Sequence, residues 1–258
     1  GRPRLWFGIA PGCMDSMVNK YTAARRFRSE DAYSPDGRHD MRPEYPTIVY
    51  SKILRQLYPD VPIVLGGIEA SLRRLTHYDY WQDRFLPSIL VPSGADLIVY
   101  GMGEKPTVEI ARSLTACIGR EAFAKALLGE SQLPQTAALY RGEWQGGSCH
   151  LLHSHEECIK DPRKQAENFR HIEEESNKMH AQTLVQQVGD QHLVVTPPYP
   201  PLTTDELDHS FDLPYTRMPH PKYKGKRIPA YDMIKHSVNI HRGCFGGCAF
   251  CTISAHQG

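Results

Sequence analysis

The sequence predicts an α/β fold with a doubly wound parallel sheet, and three observations carry that expectation. Short apolar runs without polar alternation recur at residues 5–10, 61–65 and 95–100, the composition of strands buried on both faces. Each run exits into a glycine-bearing turn: Pro11-Gly12, Gly66-Gly67 and Gly101-Met-Gly103. Stretches at helical spacing lie between them, and alternating strand and helix implies a layered sheet.

In chain order, the first strand ends at Pro11-Gly12. Residues 14–28 then place Met14, Met17, Val18, Tyr21 and Ala24 at helical spacing, with Arg25, Arg26 and Arg28 at the negative end of the helix dipole. Residues 29–46 are polar and broken by Pro35, Gly37, Pro43 and Pro46, which reads as a loop. Residues 47–57 resume helical spacing and stop before Pro59. After the second strand, 68–75 reads as a short helix, followed by the aromatic run His77-Tyr-Asp-Tyr-Trp81. Gly101-x-Gly103 invites a dinucleotide reading, but the third glycine position holds Pro106. A strand-to-helix turn with Pro106 near the first helical position accounts for it, the helix running to about Cys117.

Beyond residue 120 the pattern thins. Residues 121–128 read as a helix and 132–147 as a loop. Asp161-Pro162 opens a long charged helix that continues to about Val188, and 193–195 is a short strand. Thr196-Pro-Pro-Tyr-Pro-Pro201 is a stiff, extended linker, and Thr203-Thr-Asp-Glu206 is a capping box. A basic, proline-broken loop spans 214–229. The β-like run 237–241 follows.

Composition narrows the function. The 258 residues hold one large or two ordinary domains, and a net charge of +1 gives no global case for nucleic acid or an anionic membrane. No apolar run approaches the roughly eighteen residues of a spanning helix. An odd count of seven cysteines, with no signal-peptide pattern, argues against a disulfide framework. The expected class is soluble and cytoplasmic, where thiols stay reduced. Both ends look cut: Gly1-Arg-Pro-Arg4 runs at once into a strand, and the chain stops seven residues after Cys251. A fragment is the expectation.

The chemistry concentrates in Arg242-Gly-Cys244-Phe-Gly-Gly-Cys248-Ala-Phe250-Cys251, where three cysteines stand at C-x3-C-x2-C spacing. Two readings compete. Three thiolates can hold an iron–sulfur cluster with its fourth iron open. Alternatively His241 or His256 completes a Cys3His zinc site, making the chain a zinc-stabilised α/β binding module without catalysis. The uneven spacing and the lack of a second CxxC pair favour the cluster.

This cysteine pattern, with the aromatic Phe250 before the last cysteine, resembles the signature of radical SAM enzymes. Gly12-Cys-Met-Asp-Ser-Met-Val-Asn-Lys-Tyr-Thr22, Gly66-Gly-Ile-Glu-Ala-Ser-Leu-Arg-Arg74, His77-Tyr-Asp-Tyr-Trp81 and Arg242-Gly-Cys-Phe-Gly-Gly-Cys248 resemble the YgiQ family in particular. The resemblance covers most of the chain, 118–190 being the poorest part. It implies that Cys244, Cys248 and Cys251 ligate a [4Fe–4S] cluster whose open iron is chelated by S-adenosyl-L-methionine. Reduction then yields a 5′-deoxyadenosyl radical that takes hydrogen from a substrate, with the protein orienting and shielding the cofactor. By position Phe250 is the adenosine contact.

The resemblance also implies a partial Rossmann-like, cobalamin-binding-like domain over 1–118 and a helical or irregular connecting region with the proline-rich linker over 119–202. Residues 203–258 then start a truncated TIM-like barrel, with 237–241 as its first strand and the cysteine loop at that strand's carboxyl end. An electron donor such as flavodoxin or ferredoxin is implied, and the substrate is unspecified. Cobalamin is left open, because the histidine motif that would ligate it is not in this chain. Elements that hold the rest of S-adenosylmethionine fall beyond Gly258, so these residues alone are not expected to turn over substrate.

Other clusters have plainer explanations. Cys149, His150, His153, His155 and Cys158 read as surface groups in a polar loop. Lys222, Lys224, Lys226 and Arg227 read as a solvated basic loop. Arg73 and Arg74 suit either an anion or an ordinary ion pair. Cys13 and Cys117 are expected to be buried thiols.

Overall fold

The computed structural model describes every residue except 115–118, 121–122, 124–132, 143–147, 245, 247, 249–250, 252, 254–255 and 257–258. Its strands are β1 (Phe7–Ile9), β2 (Ile63–Leu65), β3 (His77–Asp79), β4 (Arg84–Leu86), β5 (Leu97–Val99), β6 (Thr136–Arg141), β7 (Cys149–Leu152), β8 (Thr183–Val188) and β9 (Gln191–Val195). The helices are α1 (Ser16–Lys20), α2 (Pro46–Leu57), α3 (Gly67–Leu72), α4 (Leu90–Ser93), α5 (Glu104–Leu114), α6 (His155–Lys160), α7 (Pro162–Ser176), α8 (Thr204–Asp212) and α9 (Pro229–Ile234). The chain divides into two compact units. Gly1–Cys13, Thr47–Pro200 and Gly243–Gly258 make the first, Met14–Pro46 and Pro201–Arg242 the second.

The first unit is α/β, built on a seven-stranded sheet in the order β1-β2-β5-β6-β9-β8-β7. The three apolar runs of the sequence form its parallel block, with Phe7 opposite Ile63 and Val64 opposite Leu97. Burial on both faces explains their lack of alternation. Ile63, Leu65 and Ile98 enter one core with Ile9, Ala70 and Leu75. Val64, Leu97 and Val99 enter another with Ile110 and Leu114 of α5. Ile63, Leu65 and Ile98 are completely buried, each contributing about 1.5–3 kcal/mol by transfer from water.

One carboxylate ties this block together. Asp96 accepts from Ile63 N at 2.8 Å, from Arg55 Nη2 at 2.6 Å and from Arg120 Nε at 2.6 Å. It thereby joins the entry of β2, the end of α2 and the chain beyond α5.

The rest of the sheet departs from the sequence reading. Residues 132–147, expected as a loop, contain β6, which pairs antiparallel with both β5 and β9. Thr-Ala-Ala-Leu-Tyr-Arg has little strand propensity of its own, so its neighbours decide its state. The helix opened by Asp161 ends at Ser176 rather than near Val188, and residues 183–188 form β8. Asn177 terminates it with its backbone N–H on Glu174 O and Glu175 O. Gly189-Asp190 then closes a tight β8–β9 hairpin, with Val188 opposite Gln191 and Gly189 at φ 60°. A two-residue connection of this kind needs a residue that tolerates positive φ. The sheet is therefore mixed, with β8–β7 as a further parallel pair.

In the second unit, α1 covers only five residues of the predicted 14–28 helix. Asp15 caps it by accepting from Met17 N and Val18 N. It stops because the chain folds back: Arg25 has φ 56°, Thr22 Oγ1 accepts from Arg26 N at 3.2 Å, and Tyr21 bridges to Phe27. Arg28 still serves the helix end, donating to Val18 O at 3.0 Å and Tyr21 O at 3.1 Å. The unit's two segments join through Asp36 N to Arg227 O, 2.6 Å, and Ala230 N to Ala32 O, 2.8 Å. The capping box at Thr203 and Glu206 opens α8 as predicted. Residues 237–241 are exposed coil rather than a strand. Val238 and Ile240 are 84% and 92% exposed, with no ladder partner assigned to either.

Candidate functional site

Cys244, Cys248 and Cys251 lie in the first unit, the first two exposed and the third half-buried. Gly246 is the centre of their loop. A Cβ at that position would stand 3.4 Å from the sulfurs of both Cys244 and Cys248. The Gly246 N–H donates to Cys244 Sγ at 3.4 Å, and Cys248 Sγ lies 3.8 Å from Gly246 O. A turn, Cys251 N to Cys248 O at 2.9 Å, sets the third cysteine. The loop thus brings two sulfurs to one glycine. Among the described residues, however, no three His, Cys, Asp or Glu side chains are assembled around a common metal position. Phe250 lies outside the described residues.

The donor set suits an iron–sulfur group. It offers soft thiol ligands, a backbone N–H directed at one sulfur, and a residue without a side chain between two of them.

After Cys251 the chain turns again, His256 N donating to Ile253 O at 3.0 Å. His256 then meets the exit of β5. Gly101 has φ 69°, and a Cβ there would stand 2.9 Å from the His256 carbonyl oxygen. The second glycine of Gly101-x-Gly103 makes no such approach; its nearest neighbours are 3.7 Å away. The glycine at 101 therefore admits a piece of backbone, which explains the motif without a dinucleotide.

That exit is firmly built. Gly101 N donates to Ser71 Oγ at 3.3 Å, and Gln135 Nε2 donates to Tyr100 O at 2.7 Å and also to Met102 O. Tyr100 Oη donates to Thr196 O at 2.6 Å. Gln135, Ser71 and Thr196 come from distant parts of the sequence, and no local pattern there marked them.

Glu69, Arg73 and Arg74 on and just after α3 are all buried. Arg74 lies over the Tyr100 ring at 4.5 Å and donates to Ser71 O at 2.7 Å, while its Nε is buried without a partner. Among the described residues it forms no ion pair within salt-bridge distance, so an ordinary ion pair does not account for it. Burial pulls its pKa down, opposed by Tyr100 and the Glu173 carboxylate. Burial also pushes the Tyr100 phenol up to about 12, with Arg74 acting in the opposite sense. His256 is shifted down, first by burial and then by Arg74, and its Nδ1 is buried without a partner. The neutral ring is favoured there. A guanidinium beside that ring also opposes a second cation on it.

The cluster from Cys149 to Cys158 is not a surface loop. Cys149 and His150 belong to β7, Ser154 and Glu157 form a capping box, and His155 and Cys158 are buried. His155 Nδ1 is 3.1 Å from Thr76 Oγ1, and Asn168 Nδ2 donates to Cys158 Sγ at 3.2 Å. These are core contacts. Cys13 is exposed rather than buried, and Cys117 lies outside the described residues. In the second unit, Arg227 pairs with Asp232 at 2.8 Å. A cleft of about 360 Å³ is lined by Lys20, Asp31, Asp40 and Arg42 among others. Its charges pair internally, Lys20 with Asp40 at 2.8 Å and Arg42 with Asp31 at 3.0 Å. No described helix is long and apolar enough to cross a membrane.

Comparison with known proteins places this geometry in context. The profile of the Radical SAM N-terminal family matches residues 1–237. A UPF0313 protein of Bacteroides thetaiotaomicron is 67% identical over 265 residues, covering 100% of this chain and 43% of that protein. One of Porphyromonas gingivalis is 63% identical over 258 residues, with 40% of its length covered. The UPF0313 protein YgiQ of Escherichia coli K12 is 39% identical over 314 residues, with 41% covered. The chain thus spans about two fifths of the length of the curated relatives it matches. No solved structure matches it.

Proposed function

Because this chain belongs to the Radical SAM N-terminal family and is a UPF0313 (YgiQ) homologue, we propose that it is part of a radical SAM enzyme. Cys244, Cys248 and Cys251 would hold the [4Fe–4S] cluster, with S-adenosylmethionine on the iron they leave free. The observation that carries this reading is Gly246, flanked by the sulfurs of Cys244 and Cys248 and donating its N–H to the first. An N–H directed at a thiolate stabilises its charge and is one means by which a protein tunes such a cluster. The uneven x3 and x2 spacing favours three cysteines over a Cys3His site completed by His241 or His256.

When bound, the cluster and S-adenosylmethionine supply one-electron chemistry. The chain's own residues do the rest. The cysteines bind, Gly246 leaves room between two sulfurs, and the parallel block β1-β2-β5 supports the loop's far end through Gly101. We assign residues 1–118 to a Rossmann-like, cobalamin-binding-like domain and residues 203–258 to the opening of a TIM-like barrel. Phe250 is proposed as the adenosine contact. Flavodoxin or ferredoxin is the proposed electron donor.

Anaerobic reconstitution of the full-length protein with iron and sulfide tests this reading. We expect a brown protein that cleaves S-adenosylmethionine after reduction with dithionite, and a colourless, inactive Cys244→Ala, Cys248→Ala, Cys251→Ala variant. A colourless wild-type protein holding one tightly bound zinc would overturn it.

A further inference from the structure

The exit of β5 does more than end a strand. Its backbone is pinned from three directions, by Ser71 at Gly101 N and by Gln135 at both Tyr100 O and Met102 O. It cannot move aside cheaply. Against this fixed surface lies the carbonyl of His256, so close that any side chain at residue 101 would reach within 2.9 Å of it. Real Cβ contacts essentially never come that near, and the close neighbour is backbone, which cannot rotate away. The His256 ring is half-buried in the same place, near Arg74, itself held on Tyr100. Four residues separate His256 from Cys251, so wherever His256 is seated, the third cysteine stays within a short tether.

We infer that Gly101, beside Tyr100 and the Arg74 held on its ring, is the seat that positions the cysteine loop by receiving the His256 backbone and its half-buried ring. Gly101 and His256 are thus positioning residues. They touch neither sulfur nor substrate; they fix where the third cysteine's tether is anchored. This explains why a glycine stands at 101. Its consequence for iron retention rests on the cluster reading, whereas its consequence for thiol accessibility does not.

The test compares Gly101→Ala with Gly94→Ala. Gly94 also has positive φ, 63°, but an added Cβ there meets nothing within 4 Å. Both variants carry the same left-handed backbone strain, and only the first intrudes on His256. His256→Ala is the third variant: it keeps the backbone carbonyl but removes the half-buried ring packed in the same seat, without touching the strand. In iron-free full-length protein, iodoacetamide labelling followed by peptide mass spectrometry gives the rate at each of Cys244, Cys248 and Cys251. After reconstitution, iron content, the visible absorption spectrum and iron release to a chelator are measured.

Gly101→Ala and His256→Ala are expected to label Cys251 about tenfold faster, the factor for roughly 1.4 kcal/mol of lost seating. They should also release iron faster and with an altered spectrum. Gly94→Ala should match wild type in all of these even where its melting temperature falls. If wild type holds no iron yet Gly101→Ala and His256→Ala still accelerate labelling, the cluster reading fails and the seat stands. Equal labelling rates in Gly94→Ala, Gly101→Ala, His256→Ala and wild type would overturn the seat, whatever the iron content. If Gly101→Ala does not fold, wild-type labelling and iron release in His256→Ala alone would do the same.

Discussion

Replacing Asp96 by alanine should be among the most damaging single changes in the α/β unit. The side chain is 8% exposed and carries three bonds: Arg55 at 2.6 Å, Arg120 at 2.6 Å and the backbone N–H of Ile63 at 2.8 Å. Arg120 is half-exposed, so water replaces much of what it loses. Arg55 and Ile63 N are more enclosed. Arg55 keeps the carbonyls of Pro59, Val61 and Gly94, but loses its charge partner. Breaking a buried pair from one side costs about 3–5 kcal/mol, much of it the penalty of an uncompensated charge. For a chain of this size each kcal/mol moves the melting temperature by roughly 2–4 °C, so a fall of about 6–20 °C is expected. Asp96→Asn retains an acceptor for Ile63 N and should lose less, although Arg55 is left without its charge partner in both variants. Urea denaturation and thermal melts followed by circular dichroism measure both. A loss below about 1 kcal/mol in Asp96→Ala, or equal losses in the two variants, refutes the reasoning.

Three further side chains, Gln186, Cys158 and Glu157, give testable outcomes. Gln186 is 1% exposed, accepts from Thr76 N at 3.0 Å and donates to His153 O at 3.0 Å. Gln186→Leu keeps its volume and should cost about 1–3 kcal/mol in urea melts, because the buried Thr76 N–H loses its partner, whereas His153 O keeps Asn168 Nδ2 at 2.9 Å. The Cys158 thiol is pushed up to about 11, first by burial and then by the Glu157 charge, so iodoacetamide at about pH 8 should label Cys13, Cys244 and Cys248 well before Cys158. A raised pKa stabilises the fold below the ordinary value of 9.0 and loses that contribution as pH rises through about 11. Stability should accordingly fall more steeply across that window in wild type than in Cys158→Ala. Glu157 shows the opposite sign. Hydrogen bonds from Lys164 and from Ser154 N hold it down at about 2, so the stability it contributes is present above 4.5 and lost as pH falls toward 2. Glu157→Gln should flatten the acid limb of a thermal-melt pH series.

The parallel block was legible because its cause is local. A strand buried on both faces must be apolar throughout, and residues 61–65 and 95–100 show it without reference to anything else. The same holds for the capping box at Thr203, whose partners are three residues apart. What failed to show was decided at a distance. Thr136–Arg141 becomes a strand because β5 and β9 offer their edges. Residues 177–190 leave the helix for a hairpin because Gly189-Asp190 can turn and β9 can pair. Met17 and Val18 kept their helical spacing, but the bonds from Thr22 and Arg28 ended the helix after one turn.

The candidate site divides along the same line. The candidate ligands stood out from the C-x3-C-x2-C spacing, since three thiols within eight residues need no tertiary information to suggest one metal group. The place of Gly101 was not. Its glycine read as a turn signal, and only the fold brings His256 to it across 155 residues of sequence. Spacing along the chain determines which side chains can share a ligand. Which surface holds that loop, and which glycine must stay bare to receive it, depends on contacts between segments that no local pattern encodes.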